Sequence, residues 1–310
     1  MKILRVGSRS SLLAQWQANH VREQIATLCG IESEIVLIKT SGDRFEHVPV
    51  NQIGLKGIFI KELEDQLLEG QIDLAVHSVK DVPTETPRGL TFPAILRRQD
   101  VRDCIVSATG TGLAGLRQSA RIGTSSLRRQ SQLRHHRPDL DVRELRGNVD
   151  TRVRKVDSGE YDAVVLAKAG LDRLGMSQRI SEVLSPQICL PAVGQGTLGI
   201  ETRSRDRELN ELMARLEDAE TRSAILAERA LLAALQGGCL VPIGGWARME
   251  RNEFVLEGCV ASIDGTDYIR ERAAGPPEEP EALGQKVARA LLDAGAVRIL
   301  ETAGRQFDSR

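Results

Sequence analysis

Strand-like and helix-like runs alternate through the first two hundred residues of this chain of 310, and that alternation admits only a few layered architectures. Ile3–Val6, Ile35–Lys39, Ile72–Val76 and Thr91–Leu96 have strand character, while Leu12–Leu28 and Ile58–Glu69 repeat apolar residues at helical spacing. A second set follows: strands at Cys104–Val106, Arg121–Gly123, Val142–Leu145 and Ala163–Leu166, helices at Ser126–His136 and Val149–Ser158. Two α/β units with mostly parallel sheets are expected, separated by the polar, aperiodic hinge Arg98–Asp103. After Glu217 the pattern changes to an Ala- and Leu-rich helix, Thr221–Leu235, then strands at Phe254–Ser262 and Tyr268–Ala273 and a closing helix Pro280–Leu292. That tail reads as a smaller α+β domain. A chain of this length suits two or three domains rather than one core.

Apolar residues at 41% and charged residues at 27% describe an ordinary soluble protein, with no run apolar enough to span a bilayer and an N-terminal apolar run too short for a signal peptide. Five scattered cysteines, without a Cys-x-x-Cys pair or a histidine at ligand spacing, predict neither a disulfide framework nor a metal site, and point to a reducing cytoplasm. The net charge is −1, yet Arg121–Lys155 holds ten Lys or Arg against four acids. Nine aromatic side chains (five Phe, two Trp, two Tyr) leave little for base stacking, so that basic stretch predicts a compact anionic ligand rather than nucleic acid.

Three helix entrances carry cations. Gly123-Thr124-Ser125-Ser126-Leu127-Arg128-Arg129 leaves a strand and opens a helix, where backbone N–H groups and hydroxyls form an anion site. Arg128 and Arg129 in its first turn oppose the helix dipole, a cost that a bound anion offsets; the plainer alternative is a Ser cap followed by solvated arginines. Leu145-Arg146-Gly147-Asn148, with Arg152 on the helix beyond, repeats the arrangement, and Arg9-Ser10-Ser11 does so in the first unit. Ligands bind outside the carboxyl ends of strands in open α/β sheets, so the two arginine clusters of the second unit should face one crevice. Ala75-Val76-His77-Ser78-Val79-Lys80-Asp81-Val82-Pro83 places a Lys and an Asp just past a buried strand: either a strand-end ion pair, or a carboxylate kept ionised by cations and suited to stabilising developing positive charge. Cys239 sits in an expected loop, Leu235-Gln236-Gly237-Gly238-Cys239-Leu240-Val241-Pro242-Ile243-Gly244-Gly245, after glycines able to end a helix. A free cysteine is more often a small buried hydrophobe, and this loop alone leaves both readings open. Gly194-Gln195-Gly196-Thr197-Leu198-Gly199 spells a dinucleotide fingerprint, but the residues from Gly199 continue as strand where a helix should open.

Together, Arg9-Ser10-Ser11, His77 to Pro83, Gly123 to Gln130, Leu145 to Val149, Leu190-Pro191-Ala192-Val193-Gly194-Gln195-Gly196 and Gly237-Gly238-Cys239 closely resemble the porphobilinogen deaminases, or hydroxymethylbilane synthases, nearly end to end and in the same order. The resemblance implies two periplasmic-binding-protein-like α/β domains, residues 1–98 with 196–216 and residues 99–195, plus an α+β C-terminal domain, residues 217–310. It implies a monomeric cytoplasmic transferase of heme biosynthesis that joins four porphobilinogen molecules head to tail, releases ammonia, and frees the linear tetrapyrrole by hydrolysis. A dipyrromethane primer would be held through a thioether to Cys239 and by Lys80, Thr124, Ser126, Arg128 and Arg129. Arg9, Ser11, Gln17, Lys56, Phe59, Arg146, Asn148, Arg152, Arg173 and Gln195 would hold pyrroles, and Asp81 would stabilise the cation left by ammonia loss. The segment Gly42–Gly57 is a lid expectation; Gln52 and Leu55 depart there from residues common in bacterial members, as Leu240 does beside the cysteine. Membrane and nucleic acid are not expected partners. The rival readings are a non-catalytic two-lobed anion sensor, which needs neither Asp81 nor a modified Cys239, and a nicotinamide oxidoreductase, which predicts a helix at Gly199.

Overall fold

The computed structural model describes residues 3–38, 60–235 and 242–308, with side chains of the last helix described through Ala303. The lid segment, Lys56, Phe59 and the Cys239 loop therefore lie outside the described residues. In chain order the elements are β1 (Leu4–Arg9), α1 (Leu12–Cys29), β2 (Ser33–Ile38), α2 (Lys61–Leu68), β3 (Leu74–Ser78), β4 (Leu90–Ile95), β5 (Asp103–Ser107) and β6 (Arg121–Gly123). Then come α3 (Leu127–His136), β7 (Asp141–Arg143), α4 (Val149–Asp157), β8 (Ala163–Ala167), α5 (Lys168–Arg173), β9 (Glu182–Val183), β10 (Leu198–Arg203) and α6 (Arg207–Met213). The C-terminal part consists of α7 (Ala219–Ala234), β11 (Ile243–Glu250), β12 (Glu253–Ala261), β13 (Tyr268–Gly275), α8 (Pro280–Leu291) and α9 (Val297–Asp308).

The chain divides into two compact units, Met1–Gln99 with Thr197–Arg222, and Asp100–Gly196 with Ser223–Arg310. The first contains a five-stranded sheet ordered β2-β1-β3-β10-β4. Its apolar residues alternate between faces: Val6, Leu74, Val76 and Ile200 pack with Ala18, Val21 and Ile25 of α1, whereas Ile38, Ile72 and Ala75 pack with Leu63 and Leu67 of α2. Each such Val, Leu or Ile contributes about 1.5–3 kcal/mol on full burial. Helix α1 starts on Ser11, whose hydroxyl accepts from Ala14 N, and stops on Gly30 at φ 66°, the left-handed geometry that a glycine tolerates.

The second unit repeats the pattern with a sheet ordered β7-β6-β8-β5-β9. Ile105, Ile122 and Val165 face Leu133 of α3; Cys104, Val106 and Val164 face Val153 and Val156 of α4. The same unit holds a three-stranded antiparallel sheet, β11-β12-β13, covered by Ala227 and Leu231 of α7 and by Leu283, Val287 and Leu291 of α8. The fold class is thus α/β twice, with a smaller α+β part at the C-terminus.

Three expectations need correction. The five-stranded sheets are mixed, not mostly parallel: β10 runs antiparallel to β3 and β4, and β5 antiparallel to β8 and β9. In the first sheet the antiparallel strand β10 comes from beyond the whole run β5–β9, a pairing that local periodicity does not encode. The chain does not close at Leu292: Gly295, at φ 104°, kinks the backbone and α9 follows. The glycine-rich stretch after Pro242 is strand β11, because Gly244 and Gly245 lack side chains where the chain passes Leu190, Cys259 and Leu231. The fingerprint glycines lead into strand β10, not the helix a dinucleotide site requires.

Candidate active site

In the first unit, β1 and β3 lie side by side and parallel, so the turns leaving them share one sheet edge. Arg9 ends β1 and Ser11 caps α1; Gln17, one helical turn and a half further on, is buried and donates from Nε2 to Ser78 Oγ at 2.9 Å. That bond fixes the α1 entrance against the end of β3. Val79–Asp81 then makes a single 3-10 turn, held to the neighbouring strand by Val79 N donating to Thr197 O at 3.0 Å. Lys80 is half-buried and Asp81 is exposed, so the carboxylate is offered to solvent from a fixed turn. Beneath it, His77 Nε2 lies 2.9 Å from Glu201 Oε2, a buried pair that couples β3 to β10.

In the second unit, the turns after β6 and β7 are stitched together. Ser125 Oγ donates to Leu145 O at 2.6 Å and accepts from Leu145 N at 3.2 Å, while Thr124 N donates to Arg143 O. Thr124 is fully buried; its hydroxyl accepts from Ser126 N, and Ser126 caps α3 by accepting from Arg129 N. Asn148 occupies the cap position of α4 without a side-chain capping bond, and Arg152 Nε donates to Gly147 O at 2.7 Å. Arg146 is half-buried against Glu144 Oε1 at 2.8 Å. Arg173, at the end of α5, is buried and donates to Gly196 O at 3.1 Å; burial alone lowers its guanidinium to about 10, which leaves it charged at neutral pH.

Arg128 and Arg129 are each only 5% exposed, which separates them from the other cations of this stretch. Arg137, Arg143, Arg146 and Arg154 pair with Asp139, Asp141, Glu144 and Asp150 near the surface. The two buried arginines converge on Asp103, the first residue of β5, which is 0% exposed. Arg128 Nη1 donates to Asp103 Oδ2 at 2.7 Å and to Leu190 O at 2.7 Å; Arg129 donates to Asp103 Oδ1 from Nη2 at 2.7 Å and from Nε at 3.1 Å. Gln195 Nε2 adds a bond to Oδ1 at 2.9 Å and one to Val101 O at 2.7 Å. Burial by itself would raise the Asp103 carboxyl, but the two guanidinium charges outweigh it and hold the group well below the usual carboxylate range. The adjacent Cys189 thiol, pushed up to about 12 by burial and by Asp103, stays neutral. Among the described residues, two guanidinium groups therefore share one carboxylate, leaving a surplus positive charge in a buried place.

Sequence reasoning did not single out Asp103, which sits at the end of a polar stretch read as hinge. The signal available was a charged residue directly abutting the apolar run Cys104-Ile105-Val106. It also anticipated an external anion opposite the arginine-bearing end of α3, whereas part of that role belongs to this internal carboxylate. Among the described residues no cluster of His, Cys, Asp or Glu could hold a metal ion, and no helix is long and apolar enough to cross a membrane.

Residues 4–211 match the family model described as porphobilinogen deaminase, dipyromethane cofactor binding domain, and residues 223–293 match porphobilinogen deaminase, C-terminal domain. The chain belongs to the porphobilinogen deaminase family. It is 48% identical over 301 residues to a porphobilinogen deaminase of Syntrophobacter fumaroxidans, covering 97% of each chain, and 50% identical over 298 residues to that of Syntrophotalea carbinolica, covering 96% of this chain and 95% of that one. Among solved structures, a periplasmic substrate-binding protein of an ABC transporter from Coxiella burnetii aligns over 69% of this chain and 92% of its own, at 14% identity and a TM-score of 0.43. Family membership makes the chain a transferase of porphyrin and heme biosynthesis, a hydroxymethylbilane synthase that acts on porphobilinogen with a dipyrromethane cofactor. The non-catalytic sensor is not favoured.

Proposed function

We propose that the buried arginines of the second unit hold the carboxylates of the dipyrromethane, and that the turn Lys80–Asp81 carries the chemistry. The observation that bears most weight is the surplus charge at Asp103. A buried cation without a full counter-charge is costly, and a carboxylate brought by a ligand offsets it. The donor set fits such a group: Arg128 Nε is buried without a hydrogen-bond partner among the described residues, and Ser126 stands at the same helix entrance. Arginine suits this task because its planar fork pairs with carboxylates through two parallel bonds.

The dipyrromethane, when bound, supplies the pyrrole position from which the chain is extended. Arg128 and Arg129 orient it through its acidic side chains, with Lys80, Thr124 and Ser126 as further donors, and the Cys239 sulfur is its covalent attachment. Arg9, Ser11, Gln17, Arg146, Asn148, Arg152 and Arg173 pair with the acetate and propionate groups of incoming and displaced pyrroles, and Lys56 and Phe59 belong to the same set; Gln195, expected there too, has both amide hydrogens committed to Asp103 and Val101 and acts instead through the orientation of Asp103. The Asp81 carboxylate stabilises positive charge developing on the pyrrole as ammonia departs and accepts the proton released on coupling. Three separate sheets support a reading as three domains, residues 1–98 with 196–216, 99–195 and 217–310. We read the enzyme as a cytoplasmic monomer without nucleic-acid or membrane partners.

Intact-mass measurement tests the reading. The purified enzyme is expected to exceed its sequence mass by two condensed pyrrole units, and Cys239→Ser and Arg128→Leu are each expected to lack that excess. An unmodified mass in active protein defeats it.

A further inference from the structure

The segment Leu190–Gln195 is tied at nearly every residue. Leu190 N donates to Gln132 Oε1 at 2.7 Å, and Leu190 O accepts from Arg128 Nη1 and from Gln132 Nε2 at 3.1 Å. Pro191 O accepts from Gly245 N at 2.9 Å, at the start of β11. A Cβ on Gly244 would lie 3.0 Å from Leu190 O, so segment and strand meet backbone to backbone. Gly194 N donates to Glu228 Oε2 at 2.8 Å, and the next residue, Gln195, reaches Asp103.

Glu228, on α7, is 0% exposed, and its second oxygen accepts from Ala247 N of β11 at 2.8 Å. A carboxylate in such a place is stable only where N–H groups surround it. Backbone donors cannot swing aside as side chains do, so a carboxylate held by two of them from separate segments fixes those segments to each other. Displacing Gly194 displaces Gln195, and with it one of the bonds that set the orientation of the Asp103 carboxylate under both arginines.

We propose that Glu228 is a positioning residue for the primer-holding arginines. It acts through Gly194, Gln195 and Asp103, and it locks β11 of the C-terminal part to the same segment. The inference rests on the reading of Arg128 and Arg129 as primer ligands. A glutamine at this position offers one acceptor oxygen and turns an N–H donor toward a second donor, so one of the two clamps opens.

The test compares full-length Glu228→Gln with Ile299→Ala, a core truncation in the same C-terminal cluster that lies on α9 and not on the β11–β12 pair. Melting temperature gives the stability loss of each, and intact mass gives the fraction carrying dipyrromethane. Glu228→Gln is expected to lose about fivefold in loading, the effect of one lost buried hydrogen bond, while Ile299→Ala melts at least as early and loads like the native enzyme. Equal loading in the two variants overturns the proposal. Should Glu228→Gln not accumulate as folded protein, Gln195→Met removes the downstream donor, and full loading there overturns it equally. Arg128→Leu separates the two levels: if it loads, the ligand reading itself fails; if it does not load while Glu228→Gln does, only the positioning role fails.

Discussion

Replacing Asp103 by asparagine keeps the shape of the side chain and removes the one negative charge that pairs with Arg128 and Arg129 among the described residues. Four N–H donors at 2.7–3.1 Å, from Arg128, Arg129 and Gln195, converge on this carboxylate. Breaking a buried ion pair by deleting one partner costs about 3–5 kcal/mol, because the other charge stays buried without compensation. Here two guanidinium groups lose the same partner; contributions within one network do not add, so the single-pair range is the fair magnitude. At about 1.4 kcal/mol per tenfold, that is roughly a 10²- to 10⁴-fold shift toward the unfolded state. For a folding unit of about 150–250 residues it corresponds to a fall in melting temperature of roughly 6–20 °C, at about 2–4 °C per kcal/mol. The assay is thermal unfolding by circular dichroism, run beside Asp162→Asn. Asp162 also serves two arginines, Arg117 and Arg121, but it is 24% exposed and so are they in larger part, which limits its pairs to about 1 kcal/mol or less. If Asp103→Asn melts no earlier than Asp162→Asn, the buried-charge argument is refuted.

The same carboxylate sets an acid dependence. Its folded-state affinity for protons is depressed, so its contribution to stability is complete above the ordinary carboxylate pKa of about 4 and fades as pH falls below it; the gap in melting temperature between native protein and Asp103→Asn should therefore be constant above about pH 5 and narrower at pH 3. Asp81→Asn should retain the primer mass and lose turnover by about 10²- to 10⁴-fold, the range for a lost acid–base or charge-stabilising group; near-native turnover would move that role to another residue.

Much of the fold was legible because its elements announce themselves locally. Strand Arg121–Gly123 and helix Leu127–His136 follow from an apolar run, a Ser cap and helical spacing, and they appear where those signals place them. Strand Ile243–Glu250 did not, since its two glycines read as loop; their smallness answers to Leu190, some fifty residues earlier, not to their sequence neighbours. The site divides in the same way. The proposed ligand residues at Arg9–Ser11, Lys80–Asp81 and Thr124–Arg129 stand out in the sequence because each lies at the end of a strand, where side chains leave the sheet together. Asp103 and Glu228 do not, because a single acidic residue in a polar hinge or on an Ala-rich helix carries no mark of what it will face.

Most of the elements and the family are legible in local composition and spacing, which survive in the linear chain. Which charges become internal is decided by packing alone. Arg128 and Arg154 are the same letter on helices of the same unit, and both helices pack on β5, yet Arg128 is buried on Asp103 while Arg154 lies in solvent beside Asp150, because packing turns one side chain inward and leaves the other on the exposed side of its helix. Burial, not residue type, sets the energy of a charge, and burial exists only once distant segments have met.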